Sequence, residues 1–124
     1  MHAIKNLGVG KHTLLIRGQN GVGKTALAIE CALKAGFTFT KLINSDRFIG
    51  FNEQQTMAEI VHIFEDAEKC PLSFILLDDV IRLVDYVPLG QKFNSSILNL
   101  ILNLLKKNLS NPNSKQIILA TVGP

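Results

Sequence analysis

Apolar positions along this chain follow two rhythms. Short runs of strand length recur at Thr13–Arg17 (TLLIR), Phe37–Ile43 (FTFTKLI), Phe74–Leu77 (FILL) and Gln116–Thr121 (QIILAT). Phe37–Ile43 opens with strict alternation, the pattern of a half-buried strand. FILL is unbroken and closed by Asp78, which suits a strand covered on both faces. Longer segments between these runs carry apolar residues at helical spacing. Over Lys24–Lys34, Leu27, Cys31 and Ala35 form one line with Ala28 and Ala32 beside it, and Gly36 is a stop signal. Glu53–Glu68 predicts an amphipathic helix with Met57, Ile60, Val61 and Phe64 on its inner face, ended by Pro71. Ser95–Leu109 predicts a helix apolar almost all round, from Ile97 and Leu98 to Leu104 and Leu105, which calls for cover on more than one side. A loop with Pro88 and Gly90 and the stretch Ser110–Ser114 supply the remaining connections.

Strand and helix alternate through the whole chain. That order predicts an α/β fold, three-layer α/β/α, in which right-handed crossovers build a mostly parallel sheet. The chain stops at Val122-Gly123-Pro124, directly after a strand that reads as buried. A covering helix would ordinarily follow, so the segment reads as a fragment of a longer protein. The alternative is a small, complete four-stranded domain.

One stretch carries chemistry. Gly18-Gln19-Asn20-Gly21-Val22-Gly23-Lys24-Thr25 fits G-x-x-x-x-G-K-[ST] in full, between an apolar strand and an Ala-rich helix. Glycines let successive backbone N–H groups face one anion. Lys24 brings a point charge to the β- and γ-phosphates, the Thr25 hydroxyl is a ligand for Mg²⁺, and the helix points its positive dipole end at the phosphates. The bland alternative is a glycine-rich turn with an incidental lysine.

A second acidic motif follows FILL. Asp78 ends a buried strand and is the candidate to hold Mg²⁺, directly or through water. Asp79 stands where many ATPases with such a loop carry a Glu that polarises the attacking water. Aspartate is one methylene shorter, and a base displaced by ~1 Å loses orders of magnitude in rate. The expectation is slow hydrolysis with nucleotide binding intact. Alone, such a segment would read as a buried strand with a solvated acidic end; the phosphate loop upstream changes that reading.

Phe48-Ile49-Gly50 lies in the loop after the second strand. The triplet either grips polypeptide in the central channel of a ring, or Phe48 and Phe51 fold back onto the core. His2, His12 and His62 lack metal-ligand spacing, and Cys31 reads as core packing.

Composition narrows the rest. The chain has 124 residues, 47% of them hydrophobic and 19% charged, enough for one domain with a packed core and against disorder. No apolar stretch reaches the ~20 residues of a membrane span, and the first dozen residues hold no secretory signal. Two cysteines are too few for a disulfide scaffold or zinc site and read as reduced thiols of a cytoplasmic protein. Thirteen Lys and Arg against ten Asp and Glu leave +3, scattered rather than striped, which implies neither nucleic acid nor anionic lipid.

With these residues in view the chain resembles an AAA+ ATPase. More narrowly, it resembles the second ATPase domain of the N-ethylmaleimide-sensitive factor family, the vesicle-fusing ATPases that disassemble SNARE complexes. The likeness runs from about Thr13 to Thr121. It rests on the phosphate loop with Ala26-Leu27-Ala28, on Ile49-Gly50-Phe51, on Leu77-Asp78-Asp79, and above all on Arg82-Leu83-Val84-Asp85-Tyr86-Val87-Pro88-Leu89-Gly90 with Phe93-Asn94-Ser95 and Leu104-Leu105-Lys106-Lys107 behind it.

The resemblance implies a P-loop NTPase sheet with the Gln116–Thr121 strand between the Thr13 and Phe74 strands. It implies that a fifth strand, a helical lid and a distal arginine would come after Pro124. Residues 1–124 then form a partial nucleotide-binding domain, the large subdomain without its lid. ATP and Mg²⁺ are the implied ligands, with Gly18 to Ala26 around the nucleotide and Thr25 and Asp78 on the metal. In the family the second domain binds ATP tightly to hold a homo-hexamer, while the first supplies most hydrolysis. SNARE complexes are reached through SNAP adaptors, and membranes only through partners. Relatives carry an Asn or Thr at the end of the last strand to position water. Here that position is Val122, so the group is either missing or supplied by Thr121. Two other readings stay open: a competent motor with Asp79 as working base, and a clamp-loader or helicase-loader type of module acting on nucleic acid, which leaves Asp-Tyr-Val-Pro unexplained.

Overall fold

The structure is a computed structural model describing residues 8–17, 22–85 and 95–122, with backbone alone at 22–25, 84, 85 and 95. Four strands, β1 (Gly10–Arg17), β2 (Phe39–Ile43), β3 (Leu72–Leu77) and β4 (Lys115–Val122), form one all-parallel sheet in the order β1-β4-β3-β2. The helices are α1 (Val22–Lys34), α2 (Glu53–Glu68), α3 (Val80–Asp85) and α4 (Ser95–Lys106). The expected α/β alternation holds, and β4 lies between β1 and β3.

The two faces of the sheet are packed differently. On one, Ala28 and Ala32 of α1 lie against Phe37, Phe74, Leu76, Ile117 and Leu119. Alanines let the helix come close, and they form its inner line. Leu27, expected on that line, is 55% exposed, and Leu33 is exposed as well. The other face is larger: Ile60, Ile63, Phe64 and Ala67 of α2, with Ile97 and Ile101 of α4, cover Ile75, Leu77, Ile118 and Ala120. The stripe at 60, 63, 64 and 67 follows the i, i+3, i+4, i+7 rule. Val61, expected inside, sits one position off it and is half-buried. Helix α4 likewise buries one side only, and Leu102 is exposed.

Local signals set the element ends. Helix α1 closes in a Schellman turn: the Gly36 N–H donates to Leu33 O (3.1 Å) and the Phe37 N–H to Ala32 O (3.1 Å). Gly36 adopts φ +90°, where a side chain would be strained. That turn takes Phe37, expected in the strand, and sets its ring edge-on to Phe74 at 6.1 Å. Helix α2 opens with a capping box, in which the Asn52 N–H donates to Gln55 Oε1 (2.9 Å) and the Gln55 N–H to Asn52 Oδ1 (2.7 Å). Helix α3 lies where the sequence read as loop, and it buries Leu83 in the larger core.

Candidate functional site

Parallel α/β sheets bind ligands at the carboxyl ends of their strands. Here that edge is tied together by one hydroxyl. The register pairs Leu77 with Ala120, so the next residues, Asp78 and Thr121, come level as the two strands end. Thr121 Oγ donates to Asp78 Oδ1 at 2.8 Å and accepts the Asp79 N–H at 2.8 Å. The Asp78 N–H continues the ladder on the other side, donating to Ile43 O at 2.9 Å. Thus the ends of β2, β3 and β4 converge on Asp78 and fix both its backbone and its carboxylate.

Asp79 has φ +54°, in the left-handed region. Aspartate tolerates that region better than most residues, though at a cost. The bond from Thr121 holds the turn, and the Asp79 carbonyl accepts the Leu83 N–H (3.1 Å) to begin α3. All three residues are half-buried.

The phosphate loop enters from the neighbouring strand. Arg17 pairs with Val122, so β1 ends on the same edge of the sheet as Thr121. Gly18, Gln19, Asn20 and Gly21 lie outside the described residues. The backbone of Val22, Gly23, Lys24 and Thr25 forms the first turn of α1, which holds no acidic side chain to oppose an anion, and Ala26 is exposed. No group of three or more His, Cys, Asp or Glu suited to a metal exists among the described residues. The Asp78 carboxylate, fixed through one oxygen by Thr121, is a hard oxygen donor of the kind that Mg²⁺ takes alongside phosphate and water.

The other expected residues are placed as follows. Phe48 is fully buried in the larger core, its ring 5.9 Å from Phe51 in an edge-on contact. A 3-10 turn over Ser45–Phe48, capped by Asn44 Oδ1 accepting the Arg47 N–H (3.2 Å), turns it inward. The expectation that Phe48 grips polypeptide is corrected: only the Ile49 side chain of that triplet reaches solvent, beside Gly50 at φ +87°. His62 faces Asp66 at 3.3 Å one helical turn away. Cys31 and Cys70 are free thiols, both half-buried. Tyr86 to Asn94, which include most of the Asp-Tyr-Val-Pro segment, lie outside the described residues. Two features were not foreseen, the Ile43 anchor and the left-handed Asp79; the doubled aspartate after FILL was the only sequence signal for the second.

Residues 14–123 match the ATPase family associated with various cellular activities (AAA). The chain belongs to this AAA family. It is 40% identical over 109 residues to the vesicular-fusion protein SEC18 of Saccharomyces cerevisiae, an alignment covering 88% of this chain and 14% of that protein. It is 38% identical over 109 residues to a vesicle-fusing ATPase of Arabidopsis thaliana, covering 88% of this chain and 15% of the relative. With a vesicle-fusing ATPase of Dictyostelium discoideum it shares 33% over 112 residues, 90% of this chain and 15% of the relative. The chain therefore spans about one seventh of the length of these AAA relatives. No helix among the described residues is long and apolar enough to cross a membrane.

Proposed function

We propose that this chain is the ATP-binding part of a vesicle-fusing AAA ATPase, and that its tight hold on magnesium-ATP supports a homo-hexamer while its own hydrolysis is slow. The observation that carries the reading is the Asp78–Thr121–Asp79 cluster on the strand edge from which the G-x-x-x-x-G-K-T loop departs. When bound, ATP supplies the phosphoryl group to be transferred and Mg²⁺ the charge that steadies its oxygens.

The chain's own residues have separate roles. Gly18 to Gly23 offer backbone N–H groups to the phosphates, Lys24 adds a positive charge, and Ala26 continues the helix behind them. Thr25 and Asp78 would hold the metal. Thr121 is a positioning residue, since its hydrogen is committed to Asp78 and one lone pair to the Asp79 N–H. It fixes the carboxylate and the turn, rather than holding water. Asp79 remains the base, one methylene short of a glutamate. The engagement of Thr121 supports slow turnover, because its one hydrogen is already given to Asp78 and cannot be donated to water. SNARE complexes reached through SNAP adaptors, a cytoplasmic location and membrane contact only through partners complete the reading. The names of the relatives, which speak of vesicle fusion, support the vesicle-fusing part of it.

The test is Lys24→Ala in the full-length protein. Magnesium-ATP binding at this domain should fall at least ~100-fold, the share of two or three charge-assisted contacts, and the hexamer should dissociate in mass photometry. Persistence of the hexamer without nucleotide at this site would refute the structural role.

A further inference from the structure

At the end of the sheet opposite Asp78 and Thr121, Lys11 of β1 reaches across to the last turn of α4. Its Nζ donates to Leu104 O at 2.7 Å, capping a carbonyl that the helix itself leaves open. The same side chain lines a cavity of about 60 Å³ that opens in part to solvent. Val61, Phe64 and Leu104 give this cavity apolar walls. Its charged groups are Glu65 and Glu68 of α2 and Lys107 after α4, while β4 brings the uncharged Gln116. Among the described residues no carboxylate closes on Lys11 to ion-pair distance. Lys34 on α1 is the opposite case: its side chain is 73% exposed and Glu30 holds its ammonium at 3.0 Å.

The two settings favour different forms of the same nitrogen. An ammonium has no lone pair to attack with, whereas a neutral amine has one. Desolvation and a neighbouring cation both favour the neutral amine, and they are the usual means by which a lysine becomes a nucleophile. Both act on Lys11: burial lowers its pKa from 10.5 against the opposing charge of Glu68, and Lys107 adds to the lowering. The hydrogen bond and charge of Glu30 push Lys34 the other way. A neutral Lys11 can keep one N–H on Leu104 O and still turn its lone pair toward the cavity.

We propose that Lys11 Nζ is an acylation site, which takes a short acyl group from an acyl thioester into the cavity between β1, α2 and α4. The nitrogen lone pair attacks the thioester carbonyl carbon. The C–N bond forms, the C–S bond breaks, and sulfur leaves with the electron pair as a thiolate. The proton shed by nitrogen passes to water at the open side of the cavity. The product is a neutral amide, which loses the partly buried charge but keeps one N–H for Leu104 O, so the cap on α4 survives. The site does not depend on how nucleotide is read at the other end of the strands.

The test uses the full-length protein and N,S-diacetylcysteamine, a small acetyl thioester, with acetylation of each lysine followed by peptide mass spectrometry at neutral and mildly alkaline pH. Lys11 should acetylate at least about threefold faster than Lys34, a larger neutral fraction outweighing narrower access. A smaller lead, or none, would overturn the proposal. In concentrated guanidinium chloride the lead should vanish, since both lysines then belong to an unfolded chain. A lead that survives there would place the reactivity in local sequence and overturn it as well. Lys107→Met withdraws the neighbouring positive charge, so it should slow Lys11 about twofold and leave Lys34 unchanged. An unaltered Lys11 rate in that variant would also count against the site.

Discussion

Strand β4 carries a polar side chain near each end, Gln116 at its start and Thr121 close to its finish, and the two lead opposite lives. Thr121 uses its hydroxyl twice, on Asp78 and on Asp79. Gln116 has a larger and more capable polar group, yet that group makes no hydrogen bond among the described residues. The difference comes from the neighbouring strand at each level. Beside Thr121, β3 turns into two aspartates that bring an acceptor and a donor. Beside Gln116, β3 presents Ser73, itself unpaired, and the helices above bring a cavity. A polar residue in a parallel strand is explained by what its neighbours present, not by its own chemistry.

The largest expected effect breaks both ends at once. Ile118, fully buried midway between them, packs in the core beneath α2 and α4. Ile118→Ala removes buried methyl groups and leaves a void, at a cost of about 2–5 kcal/mol. Against a domain stability of ~5–15 kcal/mol, that is a large share. Denaturant titration should show a lowered midpoint at unchanged slope. A loss under about 1 kcal/mol would mean that the middle of β4 does not hold the two ends in register.

Next in size is Thr121→Val, which keeps the shape and removes the hydroxyl. It strips the Asp79 N–H of its acceptor and Asp78 Oδ1 of its donor, costing about 1–3 kcal/mol. Affinity for magnesium-ATP should fall about tenfold as the Asp78 carboxylate loses its orientation, while affinity for ATP in EDTA should hardly change. Thr121→Ser should restore the magnesium dependence. Equal losses with and without the metal would show a merely structural residue. The matching change at the other end, Gln116→Leu, should leave nucleotide binding untouched, and that contrast sharpens the comparison.

How far the sequence reveals this architecture depends on the kind of signal. The alternation of runs and the strand ending at Asp78 each depend on residues close together in the chain, and both were legible. The bounds of α2 were legible for the same reason, from the period over Glu53–Glu68 and the stop at Pro71, whereas the capping box of Asn52 and Gln55 that opens it came from the structure. What could not be read is set by distant neighbours. Leu27 and Ala28 both fit the inner face of α1 by spacing. The sheet chose the alanine, because only a small side chain lets the helix approach Phe74 and Leu119. Phe48 left two options open, which the 3-10 turn and Phe51 decided. The bond between Thr121 and Asp78 crosses 43 positions in sequence. It follows only from the register of two parallel strands, which periodicity does not encode.

The smallest effect concerns Lys11 at the foot of the sheet. Burial lowers its pKa below the usual lysine value of 10.5; the charge of Glu68 opposes the shift and that of Lys107 adds to it. Glu65 lines the same cavity. Below the lowered folded-state value, Lys11 is charged both folded and unfolded, and the desolvation cost of the buried cation is fully present. Between that value and 10.5 the unfolded chain binds more protons than the folded one, so stability rises with pH. Wild type should therefore gain stability relative to Lys11→Met as pH rises through this window, in paired denaturant titrations. The gain should be modest, because the ammonium is only partly buried and solvent screens it. At neutral pH the variant trades the hydrogen bond to Leu104 O for relief from that cost, so the sign of the slope, not the offset, carries the information. A flat difference would mean that Lys11 is held by its bond to α4 and barely desolvated. A falling one would mean that Glu68 outweighs burial, and the foot of the sheet would then be a charged clamp instead of a neutral one.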